Sequence, residues 1–175
     1  VLALMDGLEK LVSALDGGEA VDLVNARGSS GQRAAVEAAV RLGRRVLWVV
    51  PDFSAARRAF ADLVHLDAES AGRDPGEVDR PETVERVLLF PPTLHSPYSD
   101  VIPDRARQQW RMSALFRIAM DFPWSHLVIV PQTLVSRVPP PEAIMERSDL
   151  LRVGMDVDRE ALVQLMSGSG YHRLP

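Results

Sequence analysis

The chain has 175 residues, 46% of them hydrophobic and 25% charged, with a formal net charge of −4. That length suits one compact domain, or one domain plus a piece of a second, and it buries a core without staples. An acidic balance gives no electrostatic footprint for non-specific nucleic-acid binding. The absence of cysteine excludes disulfides and thiolate metal sites and fits a cytosolic protein, and no apolar run reaches the length of a membrane span.

Leu4, Leu8, Leu11, Val12 and Leu15 fall at helical spacing, and Gly17 and Gly18 end that helix. The run 20-AVDLV-24 predicts a strand, followed by a Gly/Ser loop and a helix from Gln32 to Leu42 that Gly43 closes. The stretch 45-RVLWVVP-51 is continuous and β-branched, the pattern of a strand buried on both faces. A helix is expected at 54–66, then a polar, Pro- and Gly-punctuated surface loop at 67–85. A strand at 86–90 leads to the extended, proline-rich 91–103 and a helix at 104–120 with Trp110, Leu115 and Ile118 turned inward. A strand at 126–130 and a short helix at 131–138 precede the triple proline 139–141, and a further helix covers 142–148. Short apolar strands alternating with helices define an α/β domain with a mainly parallel sheet flanked by helices. From 149 the pattern changes to strand and turn, a helix capped by Asp158 and ended by Gly170, and a new strand at 171–175. This is the opening of a small α+β unit, so the expected division is 1–148 and 149–175. The N-terminus has neither an initiator Met nor a signal peptide pattern, so the chain is expected to start inside a longer gene product.

The segment 24-VNARGSSGQRAAVEAAV-40 has the outline of a phosphate-binding loop. A working loop of that kind, G-x-x-x-x-G-K-[ST], needs a lysine for the β/γ-phosphates and a hydroxyl for magnesium. With Gly31 as the second glycine, Ala26 stands at the first glycine, Gln32 at the lysine and Arg33 at the hydroxyl position. A helix N-terminus still attracts anions, but the side chains that handle a nucleotide are missing. No cofactor is therefore expected, and the loop serves to connect strand and helix.

Other chemistry is sparse. His65, His95, His126 and His172 do not share a metal-ligand spacing, and Ser29, Ser30 and Ser96 lack a nucleophile-elbow context. The acidic cluster in 67–85 suits a solvated loop better than paired catalytic carboxylates. Trp48, Trp110 and Trp124 are expected in the core rather than as base-stacking platforms. No catalytic or metal residue is predicted.

Longer blocks carry a resemblance. In 88-LLFPPTLHSPYSDVIPDRARQQWRMSALFRIA-119 the relevant pieces are Phe90-Pro91, Ser96-Pro97-Tyr98, Ile102-Pro103-Asp104-Arg105 and Arg111 to Leu115. Three further blocks are 44-RRVLWVVPDFSAARRAFADL-63, 127-LVIVPQTLVSRVPPPE-142 and 151-LRVGMDVDREALVQLMSGSGYHRL-174. In order and spacing these resemble the N-terminal, UvrB-like region of the bacterial transcription-repair coupling factor family (Mfd).

The resemblance implies a degenerate P-loop, RecA-like domain of the UvrB domain-1 kind, kept as a scaffold without catalysis, followed by the start of a UvrA-interaction domain. The parent would be an ATP- and magnesium-dependent DNA translocase of the bacterial cytoplasm that displaces stalled RNA polymerase and recruits UvrA. Its motor and polymerase-binding parts would lie downstream. The damage-gripping hairpin of UvrB, rich in Tyr, is reduced here to a short segment with Tyr98. UvrA would meet only part of its surface, with Arg152, Arg159, His172 and Arg173 as the nearest candidates, although ordinary solvated charge also accounts for them. An unpaired edge at 171–175 would invite pairing with a neighbouring copy. Two alternatives stay open: a helicase-related domain that still binds ATP, and a direct DNA-binding module, against which the acidic charge argues.

Overall fold

The computed structural model describes residues 2–72, 86–93, 104–169 and 171, with backbone alone for 2–6. Ten elements follow one another: α1 (Leu2–Asp16), α2 (Ser30–Leu42), β1 (Val46–Val49), α3 (Phe53–Ser70), β2 (Val87–Phe90), α4 (Arg105–Ala119), β3 (His126–Ile129), α5 (Pro131–Leu134), α6 (Pro141–Met145) and α7 (Arg159–Gly168). The strands form one parallel sheet in the order β1-β3-β2. Val46, His126 and Val87 lie level at one end, and Val49, Ile129 and Phe90 at the other. Parallel neighbours need long crossovers; α3 lies between β1 and β2 in sequence, and α4 between β2 and β3.

Side chains alternate across the sheet with period two. On one face Val87, Leu89, Val128 and Val130 meet Val36 of α2 and Ala56, Ala59, Leu63 and Leu66 of α3. On the other, Leu88, Phe90 and Ile129 meet Ala114 of α4, with Leu115, Trp124 and Leu127 around them. Leu63 and Val128 have no exposed surface, and burying a side chain of that size contributes about 1.5–3 kcal/mol. The α/β class with a parallel sheet flanked by helices is thus present.

The helix ends follow local chemistry. The Asp52 carboxylate accepts from the Ala55 amide at 2.8 Å and starts α3, and Asp104 does the same for α4 through Ala106 at 3.0 Å. Asp158 starts α7, accepting from Glu160 and Ala161. Gly43 closes α2 with φ 61°, a left-handed conformation that glycine adopts without penalty.

Several expectations are corrected. The segment 20–24 is not a strand: it has no regular structure and is exposed, Val24 to 79%. No described strand offers it a ladder, and apolar composition alone does not make one. The strand at 45–50 is not buried on both faces. It is an edge strand, and Leu47 and Val49 are 51% and 49% exposed because α4 packs on β2 rather than on β1. Residues 67–70 continue α3 instead of opening a loop. In α4 only Ala114 is buried; Trp110 and Ile118 are exposed, and the Trp110 ring leans on Phe53 at 6.3 Å. No strand forms at 149–157; the chain is irregular there, with Leu151 and Val153 open to solvent and Gly154 turning at φ 84°. Tyr171 is not in a strand. The remainder of the expected loop at 73–85, the segment 94–103 with Tyr98, and residues 170 and 172–175 lie outside the described residues.

Candidate functional site

The loop with a phosphate-binding outline is built without a leading strand. Asn25 and Gly28 take left-handed conformations with φ near 60°. The Ser30 hydroxyl donates to the Arg27 carbonyl at 2.8 Å and its amide to the same oxygen at 3.2 Å. A Cβ on Gly31 would stand 3.3 Å from the Ala26 methyl, so the two ends of the loop are drawn together and position 31 favours glycine. Gln32 is half-buried and uncharged at the position where a lysine would meet phosphates. Arg33 has another partner: its two terminal nitrogens donate to the two carboxylate oxygens of Glu69 at 3.0 and 2.9 Å. This planar fork ties α2 to the end of α3. It raises the Arg33 pKa and lowers that of Glu69, through the hydrogen bonds first and the charges second. The loop therefore has no lysine at the phosphate position, and the residue at the magnesium position is an arginine committed to Glu69.

Of the residues proposed for a partner, Arg152 and Arg159 are exposed, Arg159 in the first turn of α7. His172 and Arg173 lie outside the described residues. None of α7 is buried; Leu162, Leu165 and Met166 face a shallow cleft of about 390 Å³ shared with Met112 and Phe116 of α4.

The amino ends of the strands hold a polar cluster that the pattern of the sequence does not announce. His126 opens the central strand and is 1% exposed, and Asp67, in α3, is 5% exposed. The Trp48 indole donates to His126 Nδ1 at 3.3 Å. Nδ1 is thus an acceptor, and the neutral ring carries its hydrogen on Nε2. That nitrogen stands 3.7 Å from Asp67 Oδ1, beyond hydrogen-bond range, and makes no hydrogen bond. The Ser125 hydroxyl donates to Asp67 Oδ1 at 2.6 Å, and Arg86 Nε lies 3.7 Å from Oδ2. Burial lowers the His126 pKa; the Asp67 charge opposes this and Arg86 adds to it.

Serine, histidine and aspartate meet here, but not as a hydrolase triad. In a triad the histidine takes the serine proton and the aspartate orients the far ring nitrogen. In this cluster the serine gives its hydrogen to the aspartate, and the far nitrogen is held by Trp48. The arrangement supplies no activated nucleophile. Beside it lies a cleft of about 380 Å³, with Trp124, Ser125 and His126 in its wall and Arg44, Arg45 and Arg86 around it. Only the polar pair Ser125-His126, where an otherwise apolar strand begins, could have marked it in the sequence. Among the described residues, no group of three or more His, Asp or Glu side chains is placed to hold a metal, and no helix is long and apolar enough to cross a membrane.

Fold and loop together define a helix-flanked parallel α/β domain whose phosphate-loop outline lacks the side chains for nucleotide work. The chain is similar to a region of one curated protein: over 90 residues, 51% of its length, it is 31% identical to the transcription-repair-coupling factor of Myxococcus xanthus. The match covers 8% of that protein. No family model matches the chain, and no solved structure matches it.

Proposed function

We propose that this chain is a UvrB-like, non-catalytic interaction module of a transcription-repair coupling factor, acting in transcription-coupled nucleotide excision repair in the bacterial cytoplasm. The similarity to the Myxococcus xanthus protein carries the reading. The loop at Ala26–Arg33 agrees with it, because Arg33 is committed to Glu69 and Gln32 bears no charge. In this reading residues 1–148 are a degenerate RecA-like scaffold and 149–175 begin the part that meets UvrA. ATP, magnesium, DNA and RNA polymerase belong to other parts of the parent protein. Arg152 and Arg159 are exposed where such a surface would start.

The test is capture of UvrA by the parent protein with and without residues 1–175. Loss of capture on deletion supports the reading; undiminished capture overturns it. A calorimetric titration of the 175-residue chain with ATP and magnesium addresses the other reading, a helicase-related domain that still takes nucleotide. No heat of binding supports a scaffold, whereas saturable binding replaces it with a nucleotide-responsive domain.

A further inference from the structure

We infer that the cleft at the amino ends of the three strands is a binding site for a small oxyanion, a phosphate or carboxylate group. The inference is independent of the coupling-factor reading.

Two buried donors in the cleft wall make no hydrogen bond, His126 Nε2 and Trp124 Nε1. An indole N–H only donates, and the His126 tautomer set by Trp48 makes Nε2 a donor as well. Leaving a buried donor unpaired is unfavourable, and native interiors rarely do so. Both orphans belong to residues that line one cavity, each just beneath its surface, and the only acceptor given near His126 Nε2, Asp67 Oδ1 at 3.7 Å, is too far to satisfy it.

The charges point the same way. Among the described residues, Arg44, Arg45 and Arg86 line the cleft with one carboxylate, Asp67. That carboxylate already takes the Ser125 hydroxyl and faces Arg86, so it offers little to a cation. Arg45 lies 4.8 Å over the Trp124 ring and meets Asp121 through one nitrogen at 3.3 Å. Arg44 meets the Leu15 carbonyl and Asp16. Both acidic partners are mostly exposed, and such surface pairs are weak enough to reorganise around a ligand. A guanidinium has five donors in a fork that suits carboxylate and phosphate alike. The volume of about 380 Å³ is at the small end of ligand pockets. It lies at the amino ends of the strands, opposite the carboxyl ends where open α/β sheets place nucleotides.

The test is a proton–nitrogen NMR titration of the full 175-residue chain, reading the indole N–H signals of Trp48, Trp110 and Trp124. Sodium phosphate and sodium acetate are added separately, at fixed pH and ionic strength, with chloride as the reference. The expected result is a saturable shift of Trp124, and of Trp48 through its bond to His126, with Trp110 unmoved. Tighter binding of phosphate assigns a phosphoryl ligand, and tighter binding of acetate a carboxylate. Arg44→Gln and Arg45→Gln alter exposed side chains and leave the fold intact; each should weaken binding about tenfold, the loss of one charge-assisted hydrogen bond. Shifts that stay linear with both anions up to their solubility limits, or that saturate unchanged in both variants, would overturn the site.

Discussion

Trp48 and His126 lock two neighbouring parallel strands together on the α3 side of the sheet. Val46 is level with His126 in the β1–β3 register, so Trp48 lies one step further along the same face. From there its indole reaches back to His126 Nδ1 at 3.3 Å, the two rings meeting edge-on at 65°. The contact settles which ring nitrogen carries hydrogen, and with it the donor presented toward Asp67. A core position is thereby occupied by a group that titrates.

Stability should therefore depend on pH through His126. Burial, reinforced by Arg86 and opposed by Asp67, holds its folded pKa below the ordinary value of 6.5. The unfolded chain then binds the proton more readily. Stability is full above about 6.5 and falls as pH drops toward the folded pKa, with a slope of at most about 1.4 kcal/mol per unit. Urea unfolding from pH 8 to pH 5 measures this. His126→Leu should remove that part of the slope, and a His126 ring titrating above 6.5 in the folded protein would contradict the assignment.

Trp48→Phe keeps the ring in the core but takes away its N–H. His126 Nδ1 is then buried without a donor, at a cost of about 1–3 kcal/mol. Denaturant titration should show that loss. Wild-type stability would mean the 3.3 Å contact contributes nothing.

Leu63 sits at the centre of the layer between α2, α3 and the sheet, with no exposed surface. Leu63→Ala should destabilise by about 2–5 kcal/mol, through lost burial and the cavity left behind. Leu47, exposed on the edge strand, provides the contrast: Leu47→Ala should change stability far less. Equal effects in chemical unfolding would place the core elsewhere.

Gln32→Lys/Arg33→Thr supplies the lysine and hydroxyl of a nucleotide loop, with Ala26 still at the first glycine, and it should not confer ATP binding. The segment before the loop is not a strand, and Ser30 is tied to Arg27. The change also removes the Arg33–Glu69 fork. Calorimetry with ATP and magnesium should stay flat for the double variant. Saturable binding would show that side chains alone, rather than the backbone, had kept nucleotide out.

The helix caps at Asp52 and Asp158 should behave differently. Asp52→Ala removes the start of α3, which carries much of the core, and should lower global stability by about 1 kcal/mol. Asp158→Ala acts on α7, which has no buried residue, so its effect should be local fraying. Hydrogen exchange of the α3 and α7 amides separates the two. Global loss from Asp158→Ala would mean α7 is coupled to the core.

Periodicity and capping were sufficient to locate α1, α2, β1, α3, β2, α4 and β3, and the Asp158 cap of α7. They depend on neighbours along the chain, which a sequence displays directly. The same holds for the missing lysine and hydroxyl at Gln32 and Arg33. Three matters were decided by contacts between distant residues. The strand order put β3 in the middle and β1 at the edge, exposing Leu47 and Val49 despite their β-branched and aliphatic surroundings. The run 20–24 stayed irregular because a strand requires a partner, and its composition does not supply one. Asp67, far from His126 in sequence, was drawn into the interior when α3 crossed the sheet beside Ser125 and Arg86. Local propensity belongs to the sequence by itself; pairing, burial and the convergence of charges arise only when the chain closes on itself.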